Sequence, residues 1–127
     1  MGEFFHSDIC GLLPVTLQGG ARYFVTFIDK TSNFVHVDFM RLKSNLYECF
    51  QKFERSLANK FGRPMKVLSS DRGTEYTSNV MKQYMAKIGI EHQVKGGYAR
   101  EQNGKAERQN RTIMEKVRTM IFARHIF

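Results

Sequence analysis

The fold of this chain is decided by the stretch Phe4-Phe5-His6-Ser7-Asp8-Ile9-Cys10, an apolar strand-like run that one carboxylate interrupts. Aspartate is depleted in β-strands and is rarely buried without a partner. Two readings of Asp8 therefore stay open at this point. It is either an edge-strand residue that points into water, or one member of a functional group of acids.

Two further acids lie where a strand ends and on a later helix. The run Lys66-Val67-Leu68-Ser69-Ser70-Asp71 ends in an aspartate, and a helix-like segment that begins near Asn103 carries Glu107. Thirty-five residues, 72–106, separate Asp71 from Glu107. A carboxylate inside the first strand, one at the end of the fourth and one on a later helix can converge at one edge of a sheet.

Each acid also has an ordinary explanation when it is taken alone. Asp71 could open a turn with Arg72-Gly73, and Glu107 could pair with Arg111 at helical spacing. Together, three close carboxylates would repel by about 4 kcal/mol per pair at an effective dielectric constant of roughly 20. Divalent metal ions would remove that cost and supply a catalyst for attack on a phosphodiester. The pattern thus favours a metal-dependent site.

Composition limits the class of protein. A chain of 127 residues with 42% apolar residues suits one folded domain, residues 1–127. No apolar stretch approaches the roughly 20 residues that cross a bilayer, and the N-terminus resembles no signal peptide, which favours an intracellular site. Cys10 and Cys49 show no ligand spacing with the four histidines and are interpreted as reduced core thiols.

The chain is basic, and its positive charge is concentrated near the C-terminus. The formal net charge is +8, and residues 95–127 carry eight Lys or Arg against three Glu. This distribution favours binding to a polyanion. A solvated basic helix face is the alternative.

The hydrophobic patterns predict the element order βββαβαβα, hence a sheet with helices packed on it. Tyr23–Ile28 is apolar on both sides, as in a central strand, and 35–39 alternates as in a half-buried strand beside it. Helices are predicted at about 44–61, ended by Gly62, and around 81–88, ended by Gly89. The remaining predictions are a hairpin turn at 29–33, strands at 67–71 and 90–94, a loop from Lys95 and a last helix.

Taken together, these stretches resemble the integrase catalytic core of copia-type LTR retrotransposons, in the retroviral integrase superfamily. The resemblance covers nearly the whole chain, and the combination of motifs is specific. The matching stretches are His6-Ser7-Asp8-Ile9-Cys10-Gly11 with Leu13-Pro14, residues 19–29, Ser70-Asp71 with Gly73, Glu75-Tyr76-Thr77-Ser78, Gly89-Ile90-Glu91-His92, Gln102-Asn103-Gly104, Ala106-Glu107-Arg108 and Asn110-Arg111-Thr112.

The resemblance implies an RNase H-like α/β fold, a five-stranded mixed sheet flanked by helices and shortened at its C-terminus. It implies that Asp8, Asp71 and Glu107 form a D,D-35-E triad that binds two Mg²⁺ or Mn²⁺ ions. The expected activity is DNA 3′-end processing and strand transfer for a retrotransposon. The expected partners are element and target DNA and further copies of the chain, as a homodimer or higher oligomer, in the nucleus after a cytoplasmic particle stage.

Charge and position, rather than a family rule, assign DNA-phosphate contacts to basic residues around Glu107. The assigned residues are Lys95, Arg100, Lys105, Arg108 and Arg111. Arg72, Thr74 and Arg100 depart from the usual family residues. They support an alternative in which the fold is kept as an inactive, domesticated or truncated nucleic-acid-binding module. A nuclease that cleaves RNA–DNA hybrids is a third reading, which the triad spacing disfavours.

Overall fold

The predicted first strand is the middle strand of the sheet. The structure is a computed structural model that describes residues 2–13, 16, 19–71, 73, 75–94, 112, 115, 116, 118 and 119. The strands are β1 (Phe4–Cys10), β2 (Tyr23–Asp29), β3 (Val35–Met40), β4 (Val67–Ser70) and β5 (Glu91–Val94). Their order across the sheet is β3-β2-β1-β4-β5. The edge-strand reading of Asp8 is therefore wrong.

The pairing directions make the sheet mixed. β1 pairs antiparallel with β2 and parallel with β4, while β2–β3 is antiparallel and β4–β5 is parallel. Short turns suffice for the antiparallel neighbours, whereas each parallel pair needs a helical crossover. The sequence provides one helix before β4 and one before β5, so the predicted order is confirmed as far as β5.

Both helices end at a glycine, as predicted. Helix α1 (Leu46–Phe61) follows a single 3₁₀ turn at Lys43–Asn45, and Gly62 ends it with φ 73°. Helix α2 (Asn79–Ile88) ends at Gly89 with φ 88°. This left-handed conformation carries little strain in glycine because glycine has no Cβ. At the other end of α2, the hydroxyl of Ser78 accepts a hydrogen bond from the Met81 amide, 3.3 Å.

The core lies between the two helices and one face of the sheet. Apolar residues at helical spacing place α1 against the inner strands, where Phe53 stacks on Phe27 with ring centroids 4.5 Å apart. A smaller cluster lies on the opposite face, where Cys10 packs against buried Leu13 and Phe24. The sheet is thus apolar on both sides, and each strand presents alternate residues to each side.

Strand β3 is half-buried, as predicted, but its residues have packing partners on both faces of the sheet. Val37 packs against the small cluster that contains Phe24. On the other side, His36 stacks on Phe53 of α1 with ring centroids 4.8 Å apart. The polar residues of the alternation therefore lie toward a helix rather than toward open solvent.

Little of the segment after β5 belongs to the described residues. Thr112, Glu115, Lys116, Arg118 and Thr119 are helical and exposed, in the region where the last helix was predicted. The other predictions for residues 95–127 lie outside the described residues. In the part of the chain that is described, no helix has the length and apolar character to span a membrane.

Candidate active site

Two of the three predicted acids are brought together by the pairing of β1 with β4. In this parallel pair Ser7 lies opposite Ser70, so the next residues, Asp8 and Asp71, are neighbours where β4 ends. Asp8 is half-buried and Asp71 is exposed. We call Asp8 and Asp71 the acid pair.

The electrostatics of the acid pair favour a cation. Burial, with a smaller contribution from repulsion by the Asp71 carboxylate, raises the pKa of Asp8 to about 6, although the hydrogen bond from the Ile9 amide acts to lower it. Removing water from a carboxylate and placing a like charge beside it both penalise the ionised form. A metal ion between the two carboxylates would replace their repulsion by attraction to the cation and would offset part of the cost of removing water from Asp8.

A hydrogen-bonded serine precedes each acid in the sequence. The Ser7 and Tyr76 hydroxyls share a hydrogen bond of 2.7 Å, and the Ser70 hydroxyl lies 2.7 Å from Nε2 of His92. Both serines are fully buried. These contacts fix the backbone next to each acid, so Tyr76 and His92 are candidate positioning residues.

The Ser70 hydroxyl has two polar neighbours. It lies 3.2 Å from the main-chain oxygen of Asp71, to which it can donate, and it shares a hydrogen bond of 2.7 Å with Nε2 of His92. Burial lowers the pKa of His92, and the nearby Lys82 lowers it further, so the ring is neutral at pH 7. The hydrogen bonds thus tie the end of β4 at Asp71 to β5.

Sequence reasoning missed Tyr76 and His92 as positioning residues. Tyr76 is 69 residues from Ser7, and His92 is 22 residues from Ser70, so no local pattern joins them. One signal was available, because the dipeptide Ser-Asp occurs at 7–8 and again at 70–71. A serine directly before each acid could have indicated that the backbone at both acids is held by a buried side-chain hydrogen bond.

Both cysteines lie in an environment that favours the protonated thiol. Cys10 and Cys49 are free and half-buried. Burial raises the pKa of Cys10 to about 11, with a further contribution from Asp8, so the thiol is protonated at neutral pH. In the metal-free protein the ionised donors on this face are therefore carboxylate oxygens.

The third predicted ligand, Glu107, lies outside the described residues. So do Lys95, Arg100, Lys105, Arg108 and Arg111. Within the described ranges, no group of three or more His, Cys, Asp or Glu side chains could hold a metal ion. The two described carboxylates are hard oxygen donors of the kind that Mg²⁺ and Mn²⁺ prefer, so the donor chemistry fits these ions.

The sheet order and the helices that cover it define a protein of the RNase H-like class. The fold matches the catalytic core domain of BIV integrase with a TM-score of 0.64 at 16% sequence identity, over 87% of this chain and 66% of that one. The predicted five-stranded mixed sheet is confirmed. At this identity the likeness concerns the fold alone.

The chain belongs to the integrase core domain family, whose model matches residues 1–98. It is 41% identical over 119 residues to the Retrovirus-related Pol polyprotein from transposon TNT 1-94 of Nicotiana tabacum, covering 94% of this chain and 9% of that protein. It is 28% identical over 121 residues to the Transposon Ty1-NL2 Gag-Pol polyprotein of Saccharomyces cerevisiae, covering 94% and 7%. The chain thus spans less than a tenth of these curated relatives, and the resemblance to copia-type integrases is confirmed.

Proposed function

We propose that this chain is the catalytic core of a retrotransposon integrase, a metal-dependent polynucleotidyl transferase. It would process the 3′ ends of element DNA and join them to target DNA. The observation that carries the proposal is the acid pair, a carboxylate within β1 and one directly after the parallel strand β4, where burial and then mutual repulsion raise the pKa of Asp8 to about 6. Membership of the integrase core domain family supports the same conclusion.

Asp8 and Asp71, together with Glu107, would hold the metal ions. Two bound Mg²⁺ or Mn²⁺ ions would activate the attacking oxygen and stabilise the leaving oxygen of the phosphodiester. The chain itself contributes a fixed spacing, because Asp8 lies inside a strand that is hydrogen-bonded on both sides. The buried hydrogen bonds of Ser7 and Ser70 hold the adjoining backbone and so limit movement of the two carboxylates.

DNA is the proposed partner, and the charge of the chain supports this. The net charge is +8, and Lys116 and Arg118 are exposed on the helical segment that follows the basic 95–111 stretch. Exposed Lys and Arg neutralise phosphates and release counterions, which drives binding without sequence preference. We further propose that residues 1–127 form one domain that acts as a dimer or higher oligomer in the nucleus.

The test is strand joining, and its reversal on a branched DNA substrate, in Mg²⁺ and in Mn²⁺. Wild-type protein should give metal-dependent product, and Asp71→Asn should reduce product to background because one metal ligand is neutralised. Glu91→Gln is the matched control, since Glu91 is an exposed carboxylate on β5, and it should leave the yield unchanged.

Two results would contradict the proposal. Equal product from wild type and Asp71→Asn would show that the Asp71 carboxylate is not needed for the reaction. A folded wild-type protein that binds DNA but gives no product in either metal would assign the chain to the alternative, an inactive nucleic-acid-binding module. Arg72, a cation next to Asp71 in the sequence, is the residue that favours this alternative.

A further inference from the structure

Three basic residues lie at the end of the sheet where the acid pair is found. Arg22 directly precedes β2, Arg41 directly follows β3, and Lys43 begins the 3₁₀ turn after it. Because β2 runs antiparallel to both of its neighbours, its start lies beside the end of β1 and the end of β3. We call Arg22, Arg41 and Lys43 the basic cluster.

The strand register gives the position of the two arginines relative to Asp8. Asp8 pairs with Thr26 of β2. The Arg22 amide donates to the main-chain oxygen of Met40 at 3.0 Å, so the pairing of β2 with β3 continues to the two arginines. Since side chains alternate along a strand, both arginines belong to the same face of the sheet as Asp8. At about 3.4 Å per residue and about 4.8 Å per strand, they lie roughly 15 Å from Asp8.

The side chain of Arg22 is held by the protein rather than free in solvent. Its Nη2 donates to the main-chain oxygen of Leu13 at 3.3 Å, and the Leu13 amide donates to the main-chain oxygen of Arg22 at 2.8 Å. Its Nε is buried and has no hydrogen-bond partner among the described residues. An unpaired buried N–H group costs free energy, so stability alone does not explain a guanidinium at this position.

The other two cations also have contacts that restrict their positions. Arg41 lies against the backbone of Gly20, where an added Cβ atom would come within 2.8 Å of Nε of Arg41. Glycine at this position therefore leaves room for the guanidinium. The Lys43 ammonium lies 5.9 Å from the centre of the Tyr23 ring. Arg41 and Lys43 are both exposed, so their charges are accessible to a ligand.

No carboxylate in the described part of the chain forms an ion pair with the basic cluster. The ion pairs found there join Glu3 to Arg63 and to Lys66, just before β1 and β4 begin, at the opposite end of the sheet. The segments that carry the cluster, residues 9–28 and 39–47, contain three cations and no Asp or Glu. The negative charge that would balance the cluster must therefore come from a ligand.

We propose that the basic cluster binds backbone phosphates of the DNA on which the acid pair acts, about four nucleotides from the bond that is cut or joined, because 15 Å spans that many at about 3.4 Å each. A guanidinium can bind two phosphate oxygens at once, and the Lys43 ammonium adds a point charge. This contact rests on the proposed function, since the acid pair sets the position of the reacting bond.

The cluster would be a second DNA contact, separate from the basic residues predicted around Glu107. An acidic protein segment fits less well, because the cluster shares its face and its end of the sheet with the acid pair, where DNA must lie for the reaction. Element DNA and target DNA present the same phosphates. The experiment therefore has to distinguish these two sources.

The first measurement is anisotropy of a fluorescein-labelled branched DNA, an element arm joined to a target duplex, in EDTA so that no turnover occurs. Arg41→Gln with Lys43→Gln should make the slope of log binding constant against log salt concentration less steep by about 2, since each lost phosphate contact removes about 0.9. Both side chains are exposed, so this double variant should fold, which circular dichroism checks.

The matched control is Arg63→Gln with Lys66→Gln. It also removes one exposed arginine and one exposed lysine, but at the opposite end of the sheet. The control should keep the wild-type slope. Equal changes of slope in the two double variants would show that only net charge matters and would overturn the proposal.

The second measurement maps the contact with branched DNAs in which one arm is cut back to about two base pairs, inside the expected contact distance. The difference between wild type and the Arg41→Gln, Lys43→Gln variant should vanish when the contacting arm is shortened and persist when another arm is shortened. Loss with the element arm assigns the cluster to element DNA, and loss with a target arm assigns it to target DNA. A difference that persists on every shortened substrate would overturn the proposal.

Failure of this proposal and failure of the proposed function give different results. Strand-joining product from wild-type protein, without a slope difference in the Arg41→Gln, Lys43→Gln variant, overturns the phosphate contact alone. The expected slope difference and arm dependence, without product in Mg²⁺ or Mn²⁺, support the phosphate contact and contradict the proposed activity alone.

Discussion

Asp8 carries a charge that destabilises the protein when no cation is bound. Its pKa is about 6 in the folded state against an ordinary value of 3.8, so the folded state binds the proton more tightly. The stabilisation from this proton is complete below about pH 4 and is lost as the pH rises through 6. At pH 7 the ionised carboxylate is therefore a net cost to the metal-free protein.

Asp8→Asn should raise the free energy of unfolding of the metal-free protein by about 1 kcal/mol at pH 7. The pKa shift would convert to a larger value, but Asp8 is only half-buried and solvent screens its charge. Urea unfolding at pH 7 and pH 4 measures the effect, which should disappear at pH 4. A loss of stability at pH 7 would contradict the pKa argument, and Glu91→Gln should change nothing at either pH.

Tyr76 stabilises the backbone next to Asp8 through its hydroxyl. Tyr76→Phe should lower the free energy of unfolding by about 1–3 kcal/mol, because it leaves the buried Ser7 hydroxyl without a partner. Adding Ser7→Ala should recover most of that loss, since both polar groups are then absent. Denaturant unfolding of the two single variants and the double variant gives the coupling. Additive losses would mean that the 2.7 Å contact contributes nothing.

At the scale of the elements, Asp29 connects the end of β2 to the turn that leads into β3. Burial alone would raise its pKa, but hydrogen bonds from Thr31, Gly2 and Ser32 hold the pKa below its ordinary value of 3.8. A lowered pKa means that the stabilisation is present above about pH 4 and is lost as the pH falls below that value. The turn is thus expected to loosen in acid.

Asp29→Asn should cost about 1–3 kcal/mol at pH 7, since the amide cannot accept all three hydrogen bonds. The difference between wild type and variant should shrink as the pH falls from 5 toward 2.5. Thermal unfolding across this range, with Glu91→Gln as a matched exposed carboxylate, is the measurement. A difference that stays constant with pH would show that the ionised carboxylate is not what holds the turn.

Local sequence patterns were sufficient to predict the helices and strands but not which of them lie side by side in the fold. The spacing of Phe50, Phe53 and Leu57 predicted α1, and Gly62 predicted its end, because both effects act within a few residues. The central position of β1 could not be predicted in this way. It follows from pairing with β4, far along the chain. The side of β3 that carries His36 was unpredictable because it depends on how α1 packs on the sheet, where His36 stacks on Phe53.

The candidate site was predictable to the same extent. Asp8 and Asp71 could be singled out because an acid inside or at the end of an apolar run needs an explanation. The residues that support them could not, because Tyr76 and His92 look like ordinary core residues until their partners are known. Glu107 stays a prediction from the sequence and the family resemblance.

For the whole molecule, excess positive charge predicts salt-sensitive DNA binding. The logarithm of the binding constant should fall linearly with the logarithm of salt concentration, with a slope of about −0.9 for each phosphate contacted. Replacing the five predicted contact residues by Gln should make the slope less steep by about 4–5. Anisotropy titrations of a labelled duplex at several salt concentrations measure this. The five residues are Lys95, Arg100, Lys105, Arg108 and Arg111.

A control variant removes the same amount of charge from the other part of the chain. Its replacements are at Arg55, Arg63, Lys66, Lys82 and Lys87, all of them exposed. This variant should weaken binding through net charge but change the slope by less than the first variant does. Equal slopes in the two variants would mean that DNA does not select the predicted region.

The central position of β1 also has a consequence for the order in which the protein assembles. The residue of β4 that contacts His6 of β1 is Ser69, 63 residues further along the chain, so the sheet closes around β1 only where the crossover through α1 brings β4 beside it. A chain with only the β1–β2–β3 hairpins formed would hold Asp8 but not its neighbour Asp71. Because β1 is enclosed on both sides, its amide protons should exchange with deuterium only through global unfolding.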